Sequence, residues 1–268
     1  MTSPALQEIV AVLGSPAAGN PTQYLFERAL LSARIDWRLV TCEVAPERLA
    51  EAVAGAAAMG FRGCVLSGPL RELAFGLADS TTPAAGFARA VGLLERTAAG
   101  FVGHVTDGRG VIEAVRGHGD PADRDVLVVG AGPTARATAL ELALAGAARI
   151  WIAAEATDQA AALAADIAGL DRGAAETLPW GESLGVPKSV EIVILTARAP
   201  ALTGLGRATL LVSAAPDVDP PPAVTSVGCC CIEGIEVQAA RAAIDFQTLT
   251  GLEPDVEMLR EALDEYLS

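Results

Sequence analysis

Short aliphatic and β-branched runs recur along the chain, separated by stretches in which apolar positions return every three to four residues. The runs predict strands over 8–13, 37–42, 62–67, 126–130, 148–153, 191–196 and 208–213. The 3.6-residue periods predict helices near 21–33, 46–59, 83–97, 109–117, 133–146 and 156–168. Alternation at this spacing points to parallel sheets with helices on both faces. A charged, turn-rich stretch, RGHGDPADRD (116–125), separates two such series and reads as a junction. Residues 214–226 hold too many prolines for an element interior. The chain then closes with two helices. The last, over 254–267, places Pro254 at the first helical position and aligns Val256, Leu259, Leu263 and Leu267 in one apolar stripe.

Composition adds exclusions. The 268 residues carry 19 cations against 33 anions, a formal charge of −14 that argues against nucleic acid as a partner. Lys188 is the only lysine. No run reaches the roughly 18 apolar residues of a membrane span, and the first residues lack the basic start of a signal peptide. The expectation is a cytoplasmic protein with no membrane partner. Five cysteines, three of them consecutive (Cys229, Cys230, Cys231), form neither a disulfide framework nor a zinc pattern. The triplet reads as small hydrophobes on a buried strand, with a reactive thiol as the other reading.

The stretch VLVVGAGPTARATALELALAG (126–146) runs from a strand through a glycine turn into a helix. Gly130, Gly132 and Ala135 make G-x-G-x-x-A in the setting that gives this motif its meaning. The first glycine permits the turn and the second admits a pyrophosphate. The small third residue lets helix pack on strand. The expected cofactor site is Gly130, Ala131, Gly132, Pro133, Thr134 and Ala135, with Thr196 at the end of the 191–196 strand. Glu155 follows the next strand, 23 residues after Gly132, where a carboxylate accepts hydrogen bonds from a ribose 2′-hydroxyl. No cation lies between Arg149 and Arg172 to meet a 2′-phosphate, so NAD is the preferred cofactor and NADP the alternative.

Four segments, in order, resemble the shikimate dehydrogenase family. GSPAAGNPTQYLFERAL (14–30) is similar to its G-x-P-I-x-H-S-x-S-P opening, and RGCVLSGPLRELAFGLAD (62–79) to its G-x-N-V-T-x-P-x-K stretch. GHVTDGRG (103–110) resembles G-x-N-T-D-G-x-G, and GIEVQAARAAIDFQTLTG (234–251) the late Q-A helix. The resemblance implies a two-domain α/β fold with a cleft between the domains. An N-terminal substrate domain, 1–106 with 236–268, would accompany a Rossmann-type dinucleotide-binding domain, 107–235.

The resemblance also locates a site. The family's two carboxylate-binding serines fall on Asn20 and Thr22, although Asn20 before Pro21 also suits a helix N-cap. Asparagines fall on Val65, Gly92 and Val105, the late glutamine on Arg241, and a threonine on Ser67, while Thr106 and Asp107 match. The lysine of the catalytic Lys–Asp pair falls on Arg71. Asp107 also suits the cap of the helix that follows, and nearby His104 is an alternative acid/base. Arginine stays protonated near neutrality, so Arg71 clamps an anion rather than acting as a base.

The expected enzyme moves hydride between nicotinamide and a ring hydroxyl or ketone of a small anionic cyclic substrate other than shikimate. The alternatives are a shikimate or quinate dehydrogenase with an Arg–Asp site, and a non-catalytic nucleotide-binding relative. Homodimerisation stays open.

Overall fold

The computed structural model describes residues 7–215, 217–221 and 228–268. The chain divides into two compact units. Unit 1 holds residues up to Thr106 together with Arg241–Ser268, and unit 2 holds Asp107–Ala240.

Unit 1 begins with strand β1 (Ile9–Gly14), helix α1 (Thr22–Ala33), β2 (Arg38–Glu43), a 3₁₀ turn (Pro46–Arg48) and α2 (Leu49–Ala58). Next come β3 (Gly63–Leu66), the short α3 (Leu70–Ala74), β4 (Ser80–Thr81), α4 (Pro83–Ala88), β5 (Leu93–Thr97) and β6 (Gly100–His104). The strands form one sheet in the order β2-β1-β3-β5-β6-β4. β1, β2 and β3 run parallel, but β5 is antiparallel to both β3 and β6, so this sheet is mixed rather than parallel.

The helix expected over 83–97 is therefore corrected. It stops at Ala88, where Arg89 adopts φ +54°, and the chain re-enters the sheet as β5. Leu93 and Leu94 are fully buried there. Their pairing with β3 outweighs a helical local pattern, as tertiary contacts commonly do.

Unit 2 runs α5 (Asp107–Arg116), β7 (Asp125–Val129), α6 (Pro133–Leu144), β8 (Arg149–Ala153), α7 (Thr157–Ala168) and β9 (Ala174–Thr177). It continues through β10 (Ser183–Gly185), β11 (Val190–Leu195), β12 (Ala201–Thr203), β13 (Leu210–Ser213) and β14 (Cys230–Ile232). The main sheet has the order β14-β13-β11-β7-β8-β9 and every pairing in it is parallel. Its central strands read as continuous aliphatic runs because both faces are buried, Val126–Val129 and Ile192–Leu195 being fully so. Strand order reverses between β7 and β11, the position at which open α/β sheets bind ligands beyond their carboxyl ends.

Two helices complete the chain: α8 (Gly234–Thr250), inside which the boundary between units falls, and α9 (Val256–Leu267). Asp255 caps α9, its side chain accepting from the N–H groups of Glu257 and Met258, so Pro254 precedes the cap instead of opening the helix. Only the middle of the expected stripe is covered. Leu259 and Leu263 are buried, whereas Val256 and Leu267 are exposed. The cysteine triplet does reach a strand, but β14 is the sheet's edge, and Cys230 and Cys231 are exposed rather than buried. The proline-rich loop expected over 214–226 lies partly outside the described residues. Among the described residues, no helix is long and apolar enough to cross a membrane.

Candidate active site

In unit 1 the strand directions gather the site. The carboxyl ends of β1 and β3 lie together through the Leu13–Leu66 pairing. Antiparallel β5 begins where β3 ends, and β6 finishes opposite its start, with Leu93 paired to His104. The segments leaving this one edge carry Asn20 and Thr22, Ser67 and Arg71, Gly92, and Thr106. Backbone bonds lock the edge: Leu66 N donates to Gly92 O, and Gly92 N to His104 O, both at 2.8 Å.

Ser67 continues β3, its N–H donating to Leu13 O at 3.1 Å. A side chain on Gly14 would stand 2.9 Å from Ser67 Oγ, so the small residue makes room for that hydroxyl. Arg71 follows in α3, half-buried, and its carbonyl accepts from Val91 N at 2.9 Å. A Cβ placed on Gly92 would lie 3.7 Å from Arg71 Nε. The guanidinium therefore sits against the position at which the family carries an asparagine. α3 spans only five residues, so its dipole opposes a cation weakly.

Asn20 makes the capping bond expected of it at the start of α1. The helix begins at Thr22 behind Pro21, and Asn20 Oδ1 accepts from Thr22 N at 2.9 Å. That bond organises the turn, while Thr22 itself is buried. His104 stands 3.2 Å from Glu95, a carboxylate that also holds Arg62. Its imidazole is thus engaged along the β5–β6 hairpin.

Sequence reasoning missed Asp245. It is buried in α8 and accepts a 2.6 Å hydrogen bond from Thr106 Oγ1, itself buried. Arg241 precedes it by one helical turn, so both belong to one helix face. A signal was present: Asp245 is the one acid between the apolar Ala242, Ala243, Ile244 and Phe246. Val65 and Val105 are buried hydrophobics.

Asp107 opens α5 in unit 2 and is buried at the helix's first turn, where the dipole favours a carboxylate. Gly108 beside it lies against Ala137 O of α6, and any side chain there would collide with that carbonyl.

The glycine turn sits at the switch point. Val129 pairs with Leu195, so Gly130 and Thr196 leave adjacent strands side by side. Gly130 takes φ +121°, and a Cβ on it would run into Thr196 Oγ1. Gly132 caps α6, and nothing lies within 4 Å of where its Cβ would stand. The first helical bond is Arg136 N to Gly132 O, which leaves the N–H groups of Thr134 and Ala135 facing outward without helical acceptors. Open backbone, two free donors and a positive dipole end fit a pyrophosphate. Ala135 is fully buried, as close packing on the strand requires.

Glu155 is exposed two residues beyond β8, whose end lies beside that of β7. Arg149 begins β8 at the opposite end, where it pairs with Glu176 and covers the Trp151 ring. Arg136 is bound to Asp166 of α7 at 2.7 Å.

No family model matches the chain. Among curated proteins, it is 30% identical over 283 residues to the shikimate dehydrogenase (NADP(+)) of Citrifermentans bemidjiense, covering 98% of this chain and 97% of that one. Among solved structures, the ligand-free 5-ketofructose reductase of Gluconobacter sp. strain CHM43 superposes with a TM-score of 0.89 at 27% identity, covering 97% and 99%. The shikimate 5-dehydrogenase of Listeria monocytogenes, in complex with shikimate and NAD, gives 0.84 at 19% identity over 95% and 96%, a likeness of fold. Near full-length coverage, with the glycine turn at the switch point of a parallel sheet, gives a two-domain α/β protein with a Rossmann-type domain. The chain belongs to the shikimate dehydrogenase family.

Proposed function

We propose that this protein is an NAD(H)-dependent oxidoreductase acting on a ring hydroxyl or ketone of a small anionic cyclic substrate other than shikimate. The observation that carries the reading is the guanidinium of Arg71 against Gly92, a cation and a bare backbone where the family places a lysine and an asparagine. Bound nicotinamide dinucleotide would accept or supply the hydride.

The Gly130–Ala135 turn would hold the dinucleotide's phosphates. Thr196 supports the turn from β11, and Glu155 would accept hydrogen bonds from a ribose. Exposed Glu155, with Arg149 at the far end of its strand and Arg136 bound to Asp166, favours NAD over NADP. The curated relative's name specifies NADP(+), so the proposed preference departs from that relative's name.

Arg71 would clamp a substrate carboxylate or a developing oxyanion through paired N–H donors, because its proton is not removable near neutrality. Ser67 and Thr22 would add hydroxyls, and Asn20 holds the turn that leads into Thr22. Asp107 would move the substrate proton. Thr106, fixed by Asp245, positions the backbone leading into Asp107. Arg241, one turn from Asp245, would add a second cation suited to an anionic group.

A second reading is a neutral, sugar-like ketone, favoured by the 0.89 TM-score to 5-ketofructose reductase. The test is cofactor titration followed by hydride-transfer assays over shikimate, quinate, 5-ketofructose and cyclic keto acids. Turnover of a cyclic acid well above shikimate supports the proposal. Turnover of shikimate at the best rate makes the protein a shikimate dehydrogenase with an arginine site. Nucleotide binding without turnover of any member identifies a non-catalytic relative. Sizing chromatography decides between monomer and homodimer.

A further inference from the structure

At the outer edge of the unit 2 sheet, three groups from separate segments converge. Cys230 Sγ on β14 lies 3.9 Å from His118 Nδ1 in the loop after α5, and His118 Nε2 lies 3.5 Å from Glu236 Oε2 in the first turn of α8. The thiol is exposed. His118 is held by its own backbone, its N–H donating to Val115 O at 2.8 Å. The order thiol, imidazole, carboxylate is that of an activated nucleophile: a base within reach of the sulfur, and an acid orienting the base.

We propose that Cys230 is a base-activated thiol and a site of reversible modification by low-molecular-weight disulfides. His118 takes the thiol proton as Cys230 sulfur attacks one sulfur of the disulfide. That S–S bond breaks, a protein–small-molecule disulfide forms, and the departing thiolate receives the proton from His118. One thiol and one disulfide enter, and one thiol and one disulfide leave, so no further oxidant is needed.

The surroundings make the assignment selective. Strand alternation turns Cys231 to the opposite face from Cys230, and Cys229 packs against the core with its thiol on Gly206 O. The Cys231 thiol is held above its usual range by desolvation, then by Cys229, Cys230 and Glu233. Leu210, the partner of Cys230 on β13, brings no charge, while His118 faces the thiol and Glu236 faces His118. Cys42 is exposed and, among the described residues, has no imidazole beside it, whereas Cys64 is buried and its thiol is raised to about 12.

The experiment follows reaction of the full chain at pH 7 with a coloured aromatic disulfide and then with oxidised glutathione, each cysteine assigned by peptide mass. Cys230 should react ~10-fold or more faster than Cys42. His118→Gln should slow Cys230 by ~10-fold or more, within the range of a lost general base, while leaving Cys42 unchanged. Glu236→Gln should slow it less. Cys64 labelling reports unfolding of either variant, and whichever variant keeps Cys64 protected decides the matter. Reaction at Cys42 or Cys231 as fast as at Cys230, or an unchanged Cys230 rate in the protected variants, would overturn the proposal.

Discussion

Thr196 Oγ1 donates to the carbonyl of Val129 at 2.8 Å and fills the space in which a side chain at position 130 would begin. Two neighbouring strands thereby make the glycine obligatory. One reason is the backbone, at φ +121°, and the other is the hydroxyl on β11. The turn is shaped before any nucleotide arrives.

The two reasons are separable. Gly130→Ala should destabilise the protein by ~1–3 kcal/mol, the usual cost of an L-residue in a sparsely populated backbone region. Removing the hydroxyl with Thr196→Ala in the same chain should recover part of that loss, leaving the backbone strain. Denaturant midpoints of the two single variants and the double variant give the coupling directly. Full recovery in the double variant would mean that the backbone at residue 130 carries no strain.

The glycine turn was legible in the sequence because strand, turn and helix follow one another within twenty-one residues, and local chemistry dictates each. The β5–β6 hairpin was not. GFARAVGLLER keeps a helical spacing of apolar residues, and only pairing with β3, some thirty residues away, makes 93–97 a strand. The parallel core of unit 2 was readable for the opposite reason, since strands buried on both faces are aliphatic throughout. Of the site residues, Arg71 and Thr106 came from the resemblance. Asp245 did not, because the carboxylate's role depends on a threonine 139 positions earlier. Exposure of Cys230 depends on β14 lying at the sheet edge, which no local pattern encodes.

The Thr106–Asp245 bond should carry measurable stability. Replacing Thr106 with valine removes a donor from a buried carboxylate and should cost ~1–3 kcal/mol, the desolvation penalty of a group that loses its partner. Urea denaturation of wild type and Thr106→Val measures it. A loss below a few tenths of a kcal/mol would show that other donors already satisfy Asp245.

Glu141 supplies a pH dependence. It lies half-buried on α6 against α5, and desolvation raises its carboxyl above the ordinary range, with Arg109 and Arg116 acting in the opposite direction. A carboxyl raised on folding binds its proton more tightly in the folded state. The folded state is therefore disfavoured as pH rises from the unfolded value through the folded one. Glu141→Gln should stabilise the protein at pH 7, and its advantage should shrink as pH falls through the ordinary glutamate range. Thermal midpoints of both proteins at pH 4, 5.5 and 7 test the sign, and a variant less stable than wild type at pH 7 contradicts it.

Cofactor choice should turn on Glu155. NAD(H) is expected to bind at least ten times tighter than NADP(H), ~1.4 kcal/mol. Glu155→Ser removes the carboxylate that would oppose a 2′-phosphate, so it should narrow the ratio chiefly by improving NADP(H) affinity. Calorimetry with both cofactors on both proteins decides it. Equal affinities in the wild type would place the discriminating contact elsewhere.

Arg71 offers the sharpest division between clamp and base. If the guanidinium holds an anionic substrate, Arg71→Ala should weaken substrate binding by ~2–4 kcal/mol, the range for truncating one partner of a buried charge pair. The loss should appear mainly in KM, with nucleotide affinity unchanged. Arg71→Lys keeps the charge and restores the family's residue, yet Val65, Gly92 and Val105 still present no amide to ring hydroxyls. Its shikimate turnover should therefore rise only slightly. Kinetics of the three proteins with shikimate and the best substrate of the panel separate the cases. A lysine variant with shikimate turnover far above wild type would make residue 71 alone the determinant of substrate choice. An alanine variant with unchanged KM would remove Arg71 from substrate binding altogether.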